Sequence, residues 1–415
     1  MEDLLPQDAW IWHELEAKAR REFESSGYSE IRTPILEETS LFVRGIGETT
    51  DIVTKEMFTF LDRKERSLTM RPEGTAPIVR AYIEHALPAR SPVNRLYYIG
   101  PMFRAERPQK GRLRQFFQIG AEVIGSVSPY ADIEVIAQVD SLMSAFGIKD
   151  HKIKVNTLGC KADKDKFAKG LKEYLEDKRS QLCDDCKARM DKNVLRILDC
   201  KSEACRAIVA GAPNVLDSLC GDCSSHFGKV KSGIGSLGIR FEEAKNLVRG
   251  LDYYTGTVFE LSHPALGGQD AIGAGGRYDN LVKDMGGAGV GAVGYALGIE
   301  RMIIALKCEG AAPKEGDVVY IATIGDAGKR EGMKIAREIR GRAVRADLAV
   351  LTDIGEASLK SQLRSADKGK AKIVVIIGED ELKQGKAAIK DMSGKEPQKT
   401  VDLRLVAEEV GKALC

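Results

Sequence analysis

The chain has 415 residues, with 63 Lys and Arg against 61 Asp and Glu for a net charge of +2. Such a length predicts two or three domains, and 43% hydrophobic with 30% charged residues excludes a disordered or fibrous chain. Near neutrality excludes polyanion binding driven by overall charge, so any RNA contact must come from local basic surfaces. No apolar run is long enough to span a bilayer, and the start Met1-Glu2-Asp3-Leu4-Leu5-Pro6 lacks a basic-then-apolar leader, so a cytoplasmic protein with no membrane partner is expected.

Trp10, Leu15 and Phe23 anchor a predicted helix that stops near Gly27. Ile31 to Glu37 reads as a strand with a kink at Pro34. Phe58–Leu61 and Ser67–Met70 predict a hairpin leading into Arg71-Pro72-Glu73-Gly74-Thr75, where Pro and Gly set a turn. Glu73 and Thr75, so placed, suit a substrate ammonium group; an ordinary acidic turn fits equally.

Arg95–Phe103 and Phe116–Ile124 are rich in aromatic and β-branched residues and flank the turn Arg107-Pro108-Gln109-Lys110-Gly111. Two antiparallel strands with a long basic loop follow from that pattern. Alternation puts Arg112, Arg114, Phe116, Gln118 and Glu122 on one face, if the second strand starts that early. Guanidinium forks suit phosphate, a phenyl face stacks on a purine, and an inner carboxylate takes an amine or imidazolium. These residues therefore describe a nucleotide beside a small cation, or equally a solvated charged hairpin.

Tyr130 to Phe146 is helical in pattern and Lys152 to Leu158 strand-like. From Cys160 to about Lys231 the composition turns helical and charged, with Leu171, Tyr174 and Leu175 at helical spacing, as in an insertion between two parts of a sheet. Seven of the nine cysteines fall between Cys160 and Cys223. In a reducing compartment that clustering favours metal ligation or free thiols over disulfides. Cys183-x-x-Cys186 and Cys220-x-x-Cys223 can together hold a tetrahedral structural Zn2+, with Cys200 and Cys205 between them and His226 as a spare ligand; scattered buried thiols are the other reading.

Between Leu247 and Glu260, Gly250 suits a turn and Thr257–Glu260 a buried strand, but a strand alone does not require Arg249, Asp252, Tyr253 and Tyr254 before it. Ala271 to Asp279 supplies small residues that let backbone approach a ligand. Gly289 to Leu306 reads as a strand followed by a helix entered at Gly298-Ile299-Glu300-Arg301. A small, polar linker with Pro313 follows. Strands from Val318, Asp347 and Lys372, with helices from about Lys329 and Glu356 between them, predict a mixed sheet built on βαβ crossovers. Lys360, Arg364, Lys368, Lys370 and Lys372 form an edge suited to RNA or to solvent.

The run Phe103-Arg104-Ala105-Glu106-Arg107-Pro108-Gln109-Lys110-Gly111-Arg112-Leu113-Arg114-Gln115-Phe116-Phe117-Gln118 resembles motif 2 of the class II aminoacyl-tRNA synthetases in its histidyl form. The helix, strand and Pro34 resemble motif 1, which usually builds the dimer interface, and Gly289 to Leu306 resembles motif 3. Arg249 to Tyr254 resembles a stretch confined to the histidyl branch, and the last hundred residues resemble the anticodon-binding domain of several such enzymes. The resemblance spans essentially the whole chain. It implies an α+β fold: a class II antiparallel sheet flanked by helices, a catalytic domain over 1–310 interrupted by a helical Cys-rich insertion at 160–231, and a C-terminal α/β domain over 317–415.

The activity implied is that of a histidine–tRNA ligase, taking L-histidine, ATP with Mg2+ and tRNA(His), and working as a homodimer. By the same resemblance Arg104 contacts the α-phosphate, Arg112 and Arg114 serve the outer phosphates, and Phe116 and Arg301 enclose adenine. Glu73, Thr75 and Gln118 hold the histidine amino group, Glu122 and Tyr254 its ring, and Tyr253, Ala274 and Tyr278 join the pocket. Arg249 lies against the α-phosphate and the substrate carboxylate, while Arg107, Gln109 and Lys110 reach the tRNA acceptor end. The family pattern does not require the cysteines. A non-catalytic relative, the synthetase-like regulatory subunit of ATP phosphoribosyltransferase, shares the core but typically lacks the anticodon domain and key motif residues.

Overall fold

In the computed structural model the described residues are 3–414 apart from 49, 108, 269, 313–315, 343–347 and 395. Pro108, Pro313 and the expected strand start at Asp347 therefore lie outside them. The chain divides into two compact units, Met1–Ala312 and Pro313–Cys415.

The strands of the first unit are β1 (Ser29–Glu30), β2 (Leu36–Glu38), β3 (Phe58–Leu61), β4 (Ser67–Met70), β5 (Asn94–Phe103), β6 (Gln115–Ile124), β7 (Lys152–Thr157), β8 (Phe241–Glu243), β9 (Thr255–Ser262), β10 (Ala271–Arg277) and β11 (Ala292–Gly298). Eight of them form one sheet in the order β1-β5-β6-β11-β10-β9-β7-β8. The six inner strands pair antiparallel, and only β1 and β8 at the edges pair parallel. The expected strand from Ile31 to Glu37 breaks into β1 and β2 around Pro34, because β2 pairs instead with β4 in a separate three-stranded sheet.

One face of the large sheet is covered by α1 (Pro6–Ser25) and α4 (Pro129–Phe146), with α2 (Thr39–Ile46) and α3 (Thr75–Glu84) lying between them in sequence. Ile11, Leu15, Ala19 and Phe23 recur every fourth residue and are all buried, as one face of a helix requires. Phe23 stacks on Tyr97 of β5 with ring centroids 4.6 Å apart. Helix α4 starts where the Ser128 hydroxyl accepts the Tyr130 N–H, has Pro129 in its first turn, and ends at Gly147 with φ of 87°. Asp132 on α4 is fully buried and is neutralised by Arg277 of β10, which also donates to Asp279 and to the carbonyls of Ser126 and Ser128.

Between β7 and β8 the chain forms α5 (Lys161–Glu176), α6 (Asp184–Lys192), α7 (Glu203–Val209) and α8 (Gly221–Ser236). The first three share a core of Phe167, Leu171, Leu175, Met190, Leu195 and Val209. Helix α8 belongs elsewhere: its Phe227, Val230 and Ile234 pack into the core under the large sheet. The first unit closes with α9 (Leu281–Asp284) and α10 (Ile299–Cys308).

The second unit holds β12 (Asp317–Thr323), β13 (Leu348–Thr352), β14 (Ile373–Ile377), β15 (Lys386–Asp391) and β16 (Lys399–Asp402), ordered β13-β12-β14-β15-β16. The first three pair parallel and the last two antiparallel, which makes the mixed sheet expected. Around it lie α11 (Gly325–Arg342), α12 (Leu359–Lys368), α13 (Glu379–Lys383) and α14 (Val406–Leu414). Lys360, Arg364 and Lys368 are exposed at four-residue spacing on α12, whereas Lys372 is tied to buried Asp317.

Candidate active site

The floor of the site is a ladder of directly paired residues. Tyr98 of β5 faces Gly120 of β6, Gly120 faces Ala296 of β11, Ala296 faces Ala274 of β10, and Ala274 faces Glu260 of β9. Directly paired residues in an antiparallel sheet project to one side. Three small residues thus separate a tyrosine from a carboxylate, and the open floor is a cavity of about 810 Å³.

The walls come from stretches far apart in sequence. Glu73, Thr75, Arg104, Arg112, Phe116, Gln118, Arg249, Tyr253, Tyr254, Ala274, Tyr278 and Arg301 all line this cavity. The turn carrying Glu73 is pinned by buried Arg71, which donates to the carbonyls of Pro101 (2.9 Å) and Thr33 (3.0 Å). Glu73 itself accepts the Thr75 and Ala76 amides at 2.7 and 2.8 Å, capping α3. Burial nevertheless raises its pKa.

Arg104 donates to the Pro72 carbonyl at 2.9 Å, and its guanidinium lies 5.3 Å from the centre of the Phe116 ring. The adjacent Phe117 points the other way and meets Trp12 edge-on. Glu300, at the start of α10, accepts the Phe117 amide at 2.9 Å, and burial pushes its carboxyl up to about 7. Arg301 beside it donates to the Gly111 carbonyl at 3.4 Å. Arg112 is held by Glu106 at 2.9 Å.

Arg249 is paired with Glu260 at 2.8 Å, while its buried Nε has no partner among the described residues. Gln118 Oε1 and the Tyr98 hydroxyl are likewise buried and unsatisfied among the described residues. Buried polar atoms without partners are costly, so their gathering at one cavity marks a place where a ligand completes them. Tyr253 packs its ring against Tyr254 (4.7 Å) and Tyr278 (5.7 Å).

Three expected placements are corrected. Strand β6 begins only at Gln115, so Arg112 and Arg114 precede it and do not share its alternation; Arg114 is exposed and does not line the cavity. Glu122 is fully buried behind the wall, accepting the Thr75 hydroxyl at 2.7 Å and the Tyr278 hydroxyl at 2.5 Å. Burial pushes its carboxyl up to about 8. Gly294, paired with Glu122 across the ladder, makes this possible, since a Cβ there would sit 1.6 Å from the carboxylate. Finally, Cys183 and Cys186 do not share a site with Cys220 and Cys223. The former gather with Cys200 and Cys205, the latter with Cys160 and Asp163, because the two pairs start different helices in different cores.

Arg107, Gln109 and Lys110 sit exposed on the loop outside the cavity. Tyr98, Glu260 and Glu106 were not singled out by sequence reasoning. Alternation from Gly100 would have put Tyr98 on the substrate face, but Glu260 needed knowledge of its ladder partner.

The six-stranded antiparallel sheet, the arginine-lined cavity on it and the separate mixed-sheet unit define a class II aminoacyl-tRNA synthetase. A family profile described as histidyl-tRNA synthetase matches residues 1–302, and one described as anticodon binding domain matches residues 318–412. The chain belongs to the histidyl-tRNA synthetase family. It is 46% identical to the histidine–tRNA ligase of Thermosipho melanesiensis over 94% of this chain and 92% of that one, and 45% identical to that of Halothermothrix orenii over 98% and 96%. The crystal structure of apo Staphylococcus aureus histidyl-tRNA synthetase is similar with a TM-score of 0.81 at 34% identity, covering 99% of this chain and 97% of that one. Among the described residues no helix is long and apolar enough to cross a membrane.

Proposed function

We propose that the chain is a histidine–tRNA ligase whose two half-reactions take place over the Tyr98–Glu260 ladder. The observation that carries this is the meeting of Arg104, Arg249 and Arg301 with Gln118 and Tyr254 at one cavity. Three arginines around one nucleotide-sized space, together with an anticodon-binding match over residues 318–412, favour the ligase over the regulatory subunit.

In this reading adenine lies between Phe116 and Arg301, Arg104 meets the α-phosphate and Arg112 the outer phosphates. Glu260 and Asp270 of the cavity wall are oxygen donors of the kind Mg2+ takes, and would hold an ion that neutralises charge on the ATP phosphates. The histidine ammonium group faces Glu73, Thr75 and Gln118. Its ring lies among Tyr253, Tyr254, Ala274 and Tyr278, with Glu122 acting through Tyr278 and Thr75. A substrate carboxylate oxygen attacks the α-phosphorus and pyrophosphate leaves, while Arg249 neutralises the charge that grows on the transferring group. The terminal ribose hydroxyl of tRNA(His) then attacks the carbonyl of histidyl-adenylate, AMP departs, and Arg107, Gln109 and Lys110 guide the acceptor end.

The same reading gives catalysis to residues 1–310 and anticodon recognition to 317–415, in a cytoplasmic homodimer. Structural zinc belongs to it as well, in the insertion rather than at the reacting atoms.

Amino-acid-dependent ATP–pyrophosphate exchange with all twenty amino acids tests the assignment. Exchange with histidine alone is expected. No exchange with any amino acid would restore the regulatory subunit, and exchange with proline or threonine would refute the pocket.

A further inference from the structure

We propose that the insertion holds two separate tetrahedral Zn2+ sites, Cys183/Cys186/Cys200/Cys205 and Cys160/Asp163/Cys220/Cys223, and that the first of them shapes a wall of the substrate cavity. In each set the four ligand atoms lie within 4.8 Å of one another. A tetrahedron with Zn–S bonds of about 2.3 Å has edges of about 3.8 Å, and Cys183 Sγ lies 3.8 Å from Cys200 Sγ. That separation is far beyond the disulfide bond of about 2.05 Å, and every described cysteine is a free thiol. Four sulfur donors converging on one point are ligands of a mononuclear soft-metal site, for which Zn2+ is the ordinary occupant.

The two sets repeat one construction. Cys183 and Cys220 are the N-cap residues of α6 and α8, and Cys186 and Cys223 follow in the first turns. Backbone amides then orient the sulfurs: Cys183 N–H donates to Cys205 Sγ at 3.3 Å, and Cys160 N–H to Cys223 Sγ at 3.2 Å. Buried Asp163 accepts the amides of Cys220 (2.9 Å) and Cys160 (3.3 Å), which aims it into the second set. Groups that fix the ligands in this way are as much a part of a metal site as the ligands.

The sites differ in what surrounds them. Cys183, Cys200 and the adjoining Lys201 and Ser202 line the substrate cavity, and so do Arg189 and Arg196, which grip Asp51 at 3.6 and 2.5 Å. None of Cys160, Cys220 and Cys223 lines it. Between Cys183 and Cys205 the helices are short and their buried apolar side chains, Met190, Val194, Leu195, Ile197 and Leu198, make a small core that a metal cross-link would reinforce. The role given to the cavity wall rests on the histidine-activation reading; the metal sites do not.

Metal analysis of the intact chain, purified without added metal or chelator, tests both parts. Two Zn2+ per chain are expected, falling to one in Cys200→Ser/Cys205→Ser and to one in Cys220→Ser/Cys223→Ser. The first variant should raise the KM for ATP or histidine in pyrophosphate exchange by about tenfold, and the second should leave exchange within about twofold. If either variant does not fold, titration of the wild-type thiols with an organomercurial should release two Zn2+ to a chelating dye. Zero or one Zn2+ in the wild type overturns the two-site assignment. Equal effects of the two variants on exchange overturn the role of the first site. Zinc without histidine-dependent exchange would overturn the activity alone.

Discussion

Along the ladder Tyr98–Gly120–Ala296–Ala274–Glu260, five strands place five residues by the hydrogen bonds of the sheet itself. In the insertion, Cys183, Cys186, Cys200 and Cys205 arrive from two helices and the turn between them, placed by a small shared core of side chains. The first region transmits local alternation across the molecule without loss. The second depends on how short helices pack, and nothing in the spacing of its cysteines encodes that. The contrast separates a surface determined by register from one determined by closure.

The largest expected effect tests the register side. Arg249→Ala removes the cation whose pairing with Glu260 ties the histidyl-branch stretch to the ladder. Histidine-dependent pyrophosphate exchange should fall roughly 100- to 1,000-fold with the fold retained. A loss under fivefold would mean that the ladder is scaffold and not reaction surface.

Gly294→Ala comes next. Its Cβ would meet the Glu122 carboxylate at 1.6 Å, so the buried Glu122–Tyr278 contact must move. We expect about 1–3 kcal/mol of destabilisation in urea melts, with a rise in the KM for histidine larger than that for ATP. Unchanged kinetics would show that Glu122 has no influence on the amino-acid pocket.

Glu122 also makes stability depend on pH. Its carboxyl is raised by burial from an ordinary 4.5 to about 8 in the folded chain. Between those values the folded state keeps a proton that the unfolded state has lost, so its contribution is fully present below pH 4.5 and declines as pH rises through 8. Relative to wild type, Glu122→Gln should lose less stability between pH 5 and pH 8, by roughly 2–4 kcal/mol. Parallel stability curves for the two proteins would remove Glu122 as the source.

The smallest effect is the most discriminating for the basic loop. Arg114→Ala, at an exposed position outside the cavity, should change exchange by less than about threefold, whereas Arg112→Ala should weaken ATP binding by about tenfold. Equal effects would mean that the loop closes over ATP and carries both arginines inward.

Much of the site was legible because its residues lie in stretches whose backbone is locally determined. The turn at Pro72 and Gly74 presents Glu73, alternation within β6 presents Phe116 and Gln118, and Gly298 hands β11 to α10 with Arg301 in its first turn. Alternation failed at Arg112 and Arg114 because the ladder opens before Gln115, and the loop residues are no longer bound to a period of two. It was incomplete for Glu122, whose face was right but whose depth depends on Gly294, 172 residues later.

The sequence by itself determined the family, the antiparallel core, the mixed C-terminal sheet and the set of side chains offered to a nucleotide and a small cation. These follow from local periodicity, turn chemistry and long contiguous motifs. Only the tertiary structure decided that Glu260 steadies Arg249, that Glu122 lies behind the wall, and that the cysteines divide into two sets. Each of those outcomes joins residues by packing or strand order across long stretches of chain, and such distances are settled by the burial of whole cores rather than by the spacing of the residues themselves.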